Sequence, residues 1–219
     1  MKQVIVQSTA GITLAGGGRF SHKLLTIAQG LAPKVVAADG GADRLLRYGV
    51  EPMAVIGDFD SVSLAARTRL AGRLFPILEQ ATTDFDKALR SIDARFVLGL
   101  GFSGARLDHA LAVLNGLVIH RDKRCLILGP QDVTFLAPRA LALDLRKGTR
   151  LSLFPMGPVR GTSEGLRWPL QGIDFAPGGI TGTSNAVTGP VRLTFDADCM
   201  LVILPLSALA AALRGLRLL

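Results

Sequence analysis

The first 130 residues alternate short apolar runs with segments of helical periodicity. Apolar runs occupy Val4–Gln7, Val35–Ala38, Ala54–Ile56, Leu74–Leu78, Phe96–Leu100 and Leu126–Leu128. Each has the length of a buried strand, and none shows the every-second-residue polarity of a strand with one wet face. Between them the spacing predicts helices over Ser21–Gln29, Ala42–Tyr48, Leu64–Ala71, Asp84–Ile92 and Leu107–Ile119. Gly49 stands where a helix end favours a left-handed residue, just ahead of Glu51-Pro52. Thr83 with Asp86 three residues later reads as a capping box in which Asp replaces the usual Glu. Strands alternating with helices predict a parallel sheet covered on both faces.

From about Val133 the pattern changes. Short β-like pieces follow at Val133–Leu136, Leu141–Leu145, Arg150–Phe154, Val191–Phe195 and Leu201–Leu204, separated by Gly and Pro. They predict a small antiparallel β domain, a sandwich. The expected fold class is therefore an N-terminal parallel-sheet α/β domain over residues 1–130, followed by a C-terminal antiparallel β-sandwich domain over residues 131–219, with the boundary near Gly129-Pro130. The tail from Met200 contains Pro205 and meets Arg214 before reaching the ~18 to 20 apolar residues that a membrane span requires. A buried strand followed by a short amphipathic helix is expected there, and no membrane span.

Composition narrows the partners. With 49% hydrophobic and 19% charged residues among 219, the chain is not of the disordered class. The net charge of +8 suits either nucleic acid or an anionic small substrate. The basic residues, such as Lys34, Arg44, Arg47, Arg67, Arg69 and Arg73, are scattered singly with few aromatics for base stacking, so nucleic acid is not the expected partner. Cys125 and Cys199 each lie in an apolar run and are expected to be buried free thiols in strands. Met1-Lys2 leads directly into a strand-like segment instead of a long apolar signal region, so a cytoplasmic protein is expected.

In an open parallel sheet, ligands gather at the carboxyl ends of the strands. Acidic residues fall there: Asp39 closes one apolar run, Asp58 and Asp60 close the next, Asp84 opens a helix, and Asp108 follows the fifth run. In extended chain, residues two apart point to one side roughly 6 to 7 Å from each other. Two carboxylates so placed repel unless a cation sits near them, and Mg²⁺, which takes oxygen ligands and bridges carboxylates to substrate phosphates, suits the pair Asp58 and Asp60. Turn-forming aspartates are the plain alternative for that pair alone; Asp39 and Asp84 at neighbouring strand ends favour the metal. Asp86 is assigned to capping. Gly101, Gly104 and Arg106 form a phosphate candidate, because arginine clamps phosphate with two parallel bonds. Gly16-Gly17-Gly18 is explained about equally by phosphate approach and by a simple turn. His109 is read as a structural hydrogen bonder.

These residues resemble the thiamin pyrophosphokinase family. Asp39-Gly40-Gly41-Ala42, Gly57-Asp58-Phe59-Asp60-Ser61, Thr83-Asp84-Phe85-Asp86-Lys87-Ala88-Leu89 and Gly104-Ala105-Arg106-Leu107-Asp108-His109 occur in that family's order. Gly165-Leu166-Arg167-Trp168-Pro169-Leu170 and Gly182-Thr183-Ser184-Asn185 continue the match, so it spans nearly the whole chain. The resemblance implies an ATP- and Mg²⁺-binding α/β domain, a thiamin-binding β-sandwich and a homodimer. In that dimer thiamin lies between the α/β domain of one subunit and the sandwich of the other. By the same resemblance Asp58, Asp60 and Asp84 hold Mg²⁺, while Asp39, Thr83, Arg106 and Asp108 line the nucleotide and thiamin pocket. Ser184 and Asn185 contact thiamin, with Trp168 either a stacking wall or a core residue of the sandwich. One departure is Ala81, in Gln80-Ala81-Thr82-Thr83-Asp84, where the family often carries an aspartate. The activity implied is in-line attack of thiamin's hydroxyl on the β-phosphorus of ATP, with AMP leaving. Two alternatives stay open: another Mg²⁺-dependent ATP phosphotransferase, and a nucleotide- or thiamin-binding protein without catalysis.

Overall fold

The computed structural model describes residues 4–104 and 106–219. Ala105 of the Gly104–His109 segment and the opening Met1-Lys2 lie outside the described residues. Two compact units are present, Met1–Pro130 and Gln131–Leu219.

The elements of the first unit, in chain order, are β1 (Val6–Ser8), β2 (Ile12–Ala15), α1 (His22–Leu31), β3 (Lys34–Ala38), α2 (Gly41–Arg47), β4 (Ala54–Gly57), α3 (Leu64–Arg69), β5 (Leu74–Pro76), α4 (Asp84–Arg90), β6 (Ile92–Ala94), β7 (Val97–Leu100), α5 (Leu107–Ile119) and β8 (Cys125–Leu128). Six of these strands form one parallel sheet in the order β8-β7-β2-β3-β4-β5. Strands β2, β4, β7 and β8 are buried at every residue, as continuous apolar runs under helices should be. Side-chain oxygens start the helices: Ser21 accepts from Leu24 N–H at 3.1 Å, Ser63 from Ala66 N–H at 3.2 Å, and Thr83 from Asp86 N–H at 3.3 Å. Gly49, at φ 73°, takes the left-handed conformation just beyond α2.

The first apolar run meets a different fate from the others. Its residues enter β1, which pairs in parallel only with β6, Val6 facing Ile92, in a separate two-stranded sheet. The central strand is β2, a segment the apolar-run reading passed over because Thr13 interrupts it. Thr13 is fully buried, and the cost of burying its hydroxyl is offset by a 2.7 Å hydrogen bond to the Ala32 carbonyl. From β2 the chain builds outward through β3, β4 and β5, then returns to the other side of β2 with β7 and β8. The strand order therefore reverses beside β2, where an open α/β sheet leaves a crevice at its carboxyl edge.

The second unit contains β9 (Asp132–Leu136), β10 (Ala140–Leu143), β11 (Arg150–Pro155), β12 (Gly161–Leu166), β13 (Gly182–Phe195), β14 (Met200–Pro205) and α6 (Leu209–Gly215). Within the unit its strands pair antiparallel, in the order β10-β13-β11-β14-β9 with β12 also on β13. The 14-residue β13 serves two layers: Gly182–Ala186 pairs with β11, whereas Val191–Thr194 pairs with β10. Gly189-Pro190 falls at the change-over, a place where a strand tolerates both a bend and a lost donor. A 3₁₀ turn over Leu206–Ala208 leads from β14 into α6, whose Leu209, Ala212 and Leu213 are buried. No helix among the described residues is long and apolar enough to cross a membrane. Cys125 is buried in β8 as expected, and burial pushes its thiol up to about 12. Cys199 departs from expectation: it precedes β14, is half-buried, and lies 3.6 Å from the Pro158 carbonyl. The run around it becomes strand only from Met200, because the preceding Asp196 to Asp198 turn is polar.

Candidate active site

Two loops close the crevice beside β2. Gly16-Gly17-Gly18 follows β2 and Gly101 follows β7, and Gly18 N–H donates to Gly101 O at 3.1 Å. A side chain at Gly101, which has φ 75°, would press on the carbonyl oxygens of Gly16 and Gly18 at 2.8 and 2.9 Å. These glycines thus permit a close approach of two backbones, which accounts for them before any phosphate is considered.

Asp39 follows β3 with φ 44°, a conformation that Asp tolerates better than most side chains. It is buried, and its Oδ1 has no hydrogen-bond partner among the described residues. Asp58 and Asp60 follow β4, with Phe59 at φ 68° between them. Arg67 of α3 secures this turn by donating to the carbonyl oxygens of Phe59 and Val62. Carboxylate oxygens of Asp39, Asp58 and Asp60 lie within 4.8 Å of one another. Gly57 makes this possible, since a Cβ there would stand 3.0 Å from Asp39 Cβ and 3.3 Å from Asp84 Oδ1.

Asp84 stands one step outside the trio, at the start of α4, where its Oδ1 accepts from Lys87 Nζ at 3.3 Å. Lys87 also donates to Asp58 Oδ2 at 2.9 Å, and Gln80 Nε2 reaches that same oxygen at 3.1 Å. Burial pushes the Asp39 carboxyl above its ordinary value; the Gly40 N–H works against this, and the charges of Asp84, Asp60 and Asp58 add to the rise. Burial likewise raises Asp84 despite Lys87, whereas the Lys87 hydrogen bond holds Asp58 below its ordinary value. Burial alone would lower Lys87, but the two carboxylates outweigh it and its ammonium is held above the ordinary value.

Three carboxylates crowded at one sheet edge, one with a buried and unpartnered oxygen, form a set of hard oxygen donors that fits a small divalent cation such as Mg²⁺. Sequence patterning pointed to each of these aspartates. It gave no role to Lys87 or Gln80, because a lysine three residues after an aspartate on a helix ordinarily marks a solvated face.

Other expected site residues stand as follows. Arg106 precedes α5 and binds Asp108 with two bonds, at 2.6 and 3.2 Å; both are exposed, and the guanidinium holds Asp108 down to about 2. Gly104 is exposed and packs near Gly18. Thr83 caps α4, but only half of the expected capping box forms. Asp86 turns its carboxylate to Arg90 at 3.2 Å and lies 3.3 Å from His120 Nε2, cationic and imidazole partners that a return bond to Thr83 would forfeit. In the second unit Trp168 is 52% exposed, so it is not a core residue, and the Arg167 guanidinium lies 4.9 Å from its ring centre. Ser184, exposed at φ 63°, donates its backbone N–H to Ser152 Oγ at 3.0 Å. Asn185 is buried and clasps the Trp168 backbone: Nδ2 donates to Trp168 O at 2.7 Å, and Oδ1 accepts from Trp168 N–H at 3.2 Å and Ala186 N–H at 2.9 Å.

Comparison with known proteins yields one family. Residues 29–128 match the family model of the thiamin pyrophosphokinase catalytic domain, and residues 140–200 match that of the thiamin pyrophosphokinase vitamin B1 binding domain. The chain is 28% identical to thiamine pyrophosphokinase 1 of Oryza sativa subsp. japonica, the match covering 74% of this chain and 75% of that protein. It is 26% identical to thiamine pyrophosphokinase 1 of Arabidopsis thaliana, covering 74% of each. Thiamin pyrophosphokinase from Candida albicans shares the fold, with a TM-score of 0.75 over 94% of this chain and 93% of that one at 17% identity. A protein from Lactobacillus plantarum superposes with a TM-score of 0.74 at 27% identity, over 90% and 98% of the two chains. The neighbouring structures share an α/β domain and a β-sandwich, the two architectures described above. Two domains of one family are thus matched in order over most of the chain, on a fold whose sheet edge carries the acidic cluster. The chain belongs to the thiamin pyrophosphokinase family.

Proposed function

We propose that the protein transfers the pyrophosphoryl group of ATP to the hydroxyl of thiamin, giving thiamin diphosphate and AMP. The observation that carries this reading is the convergence of Asp39, Asp58 and Asp60 at the carboxyl edge of the sheet, in a chain whose relatives are named thiamine pyrophosphokinases. These three carboxylates would hold Mg²⁺, with Asp84 completing the acidic wall. Bound there, the ion would supply charge neutralisation at the phosphate oxygens. The chain's own part is positioning. Lys87 and Gln80 fix the Asp58 carboxylate, and Arg67 holds the turn that carries Asp58 and Asp60. Oxygen of the thiamin hydroxyl bonds to the β-phosphorus as the bond to the α-phosphate oxygen breaks, and the hydroxyl proton passes to Asp84, the carboxylate whose proton affinity burial raises, since Lys87 and Gln80 already occupy Asp58.

ATP is assigned to the first unit, with Gly101, Gly104 and Arg106 at its phosphates and Thr83 lining its pocket. Thiamin is assigned to Asp108, Trp168, Ser184 and Asn185. The exposed Trp168 ring, on a backbone that Asn185 holds by two hydrogen bonds, supports a stacking role. A homodimer, which the family resemblance implies, working in the cytoplasm completes the reading. The test is incubation of purified protein with thiamin, ATP and Mg²⁺, followed by chromatography of the products. Thiamin diphosphate and AMP in equal amounts are expected, and Asp60→Asn should abolish turnover while the circular dichroism spectrum stays unchanged. ADP with some other ester would identify a different phosphotransferase, and ligand binding without product would identify an inactive binder.

A further inference from the structure

We propose that Lys87 is a positioning residue of the cation site: its ammonium is a built-in counter-cation that lets the acidic cluster fold without metal and sets which oxygen of Asp58 faces that cluster. The proposal rests on the cation reading above. Lysine is among the residues least often buried unless paired, yet the Lys87 side chain is only 2% exposed. Its place on α4, one turn after Asp84, brings the ammonium back along the helix to Asp84 Oδ1 at 3.3 Å, and its length carries it on to Asp58 Oδ2 at 2.9 Å. Two of its three donors are thereby used on two carboxylates of different elements. Asp58 Oδ2 also accepts from Gln80, so that oxygen is occupied twice. Among the described residues, Asp58 Oδ1 receives only a 3.3 Å bond from Asp60 N–H, which leaves it the less occupied of the two oxygens. Asp58 is thus presented to a cation through one chosen oxygen.

The same ammonium repels any divalent ion held nearby, so Lys87 makes cation binding weaker and better oriented. Removing its charge should therefore tighten the cation while impairing the reaction, a combination that a purely structural lysine would not produce. The experiment uses the full chain, stripped with a chelator. Wild type, Lys87→Met and the double variant Lys87→Met/Asp84→Asn are compared by thermal unfolding with and without Mg²⁺, by Mn²⁺ titration in electron paramagnetic resonance, and by turnover.

For Lys87→Met, the metal-free Tm is expected to fall by about 5 °C or more, with most of the loss recovered at saturating Mg²⁺. Mn²⁺ affinity should rise roughly tenfold while turnover at saturating metal falls about a hundredfold. The double variant removes one charge of each sign, so it should melt near wild type and bind Mn²⁺ within about threefold of it. This second variant decides the matter if the single one does not fold. Equal Tm losses with and without Mg²⁺, unchanged or weaker Mn²⁺ binding by Lys87→Met, or a double variant as unstable as the single one would overturn the role of Lys87. Absence of Mn²⁺ binding by the wild type would instead overturn the cation reading, and this proposal with it.

Discussion

Replacing Asp39 by Asn offers a direct measure of the electrostatic strain in the acidic cluster. Asn keeps the shape of Asp and tolerates the left-handed conformation that the chain adopts at φ 44°. It also brings an amide donor to a place where Asp39 Oδ1 is buried without a partner. Two unit charges at 4.8 Å, the limit within which the carboxylate oxygens of Asp39, Asp58 and Asp60 lie, repel by about 0.9 kcal/mol in a water-like medium and about 3.5 kcal/mol at an effective dielectric of 20. Asp60 is exposed and Lys87 offsets part of the negative charge, so the relief lies toward the lower end. We expect Asp39→Asn to stabilise the metal-free protein by about 1–3 kcal/mol, a rise in Tm of roughly 3–8 °C. Divalent-cation affinity should meanwhile fall about tenfold or more. Calorimetric melts in chelator at pH 8, paired with Mn²⁺ titrations, read both quantities. A metal-free Tm equal to or below that of the wild type would refute the reasoning, because it would mean that the Asp39 charge is already compensated.

Further predictions concern the frame around the site. Gly41→Ala should cost about 3 kcal/mol or more, because the added methyl would fall on the Ala15 carbonyl oxygen; Gly30→Ala, where nothing stands within 4 Å, should leave the Tm unchanged or slightly higher in the same melts. Asn185→Ala should cost about 2–3 kcal/mol through its three lost hydrogen bonds, and the fluorescence of Trp168, the single tryptophan, should lose anisotropy; unchanged anisotropy would separate Asn185 from the placement of the ring. The Thr82 hydroxyl and Arg90 hold the Glu79 carboxyl down to about 2. Because this folded-state value is depressed, the contribution of Glu79 is fully present above its ordinary 4.5 and is lost as pH falls through about 2. A carboxyl carbon-13 titration of Glu79 with its midpoint near 4.5 would contradict this.

Strand-ends, helix starts and acidic positions were open to reading because each rests on local chemistry. Ser21 and Ser63 cap α1 and α3 through bonds that span three residues, and the runs that became β3, β4, β7 and β8 needed only continuous apolarity. The aspartates of the cluster were recognisable because polar charge directly after a buried run has few structural explanations. What escaped was whatever depended on a distant partner. Thr13 looks like an interruption until the Ala32 carbonyl, 19 residues away, satisfies its hydroxyl, so the central strand was missed. Only the last five residues of β13 were expected to be strand. Its first part is polar and broken by Gly189-Pro190, and is held extended by pairing with β11 and β12.

Local order along the chain was therefore determined by the sequence itself: which segments can bury both faces, where helices can start, and which side chains carry negative charge to the sheet edge. The tertiary structure alone decided which charges meet. Lys87 is one cation among 25 Lys and Arg residues until α4 turns it inward between Asp58 and Asp84. Asn185 is one polar residue of a strand until its amide closes on Trp168. The reason is physical: capping and periodicity act over a few residues, whereas the energy of a buried charge or amide depends on whatever the fold places within hydrogen-bond reach of it.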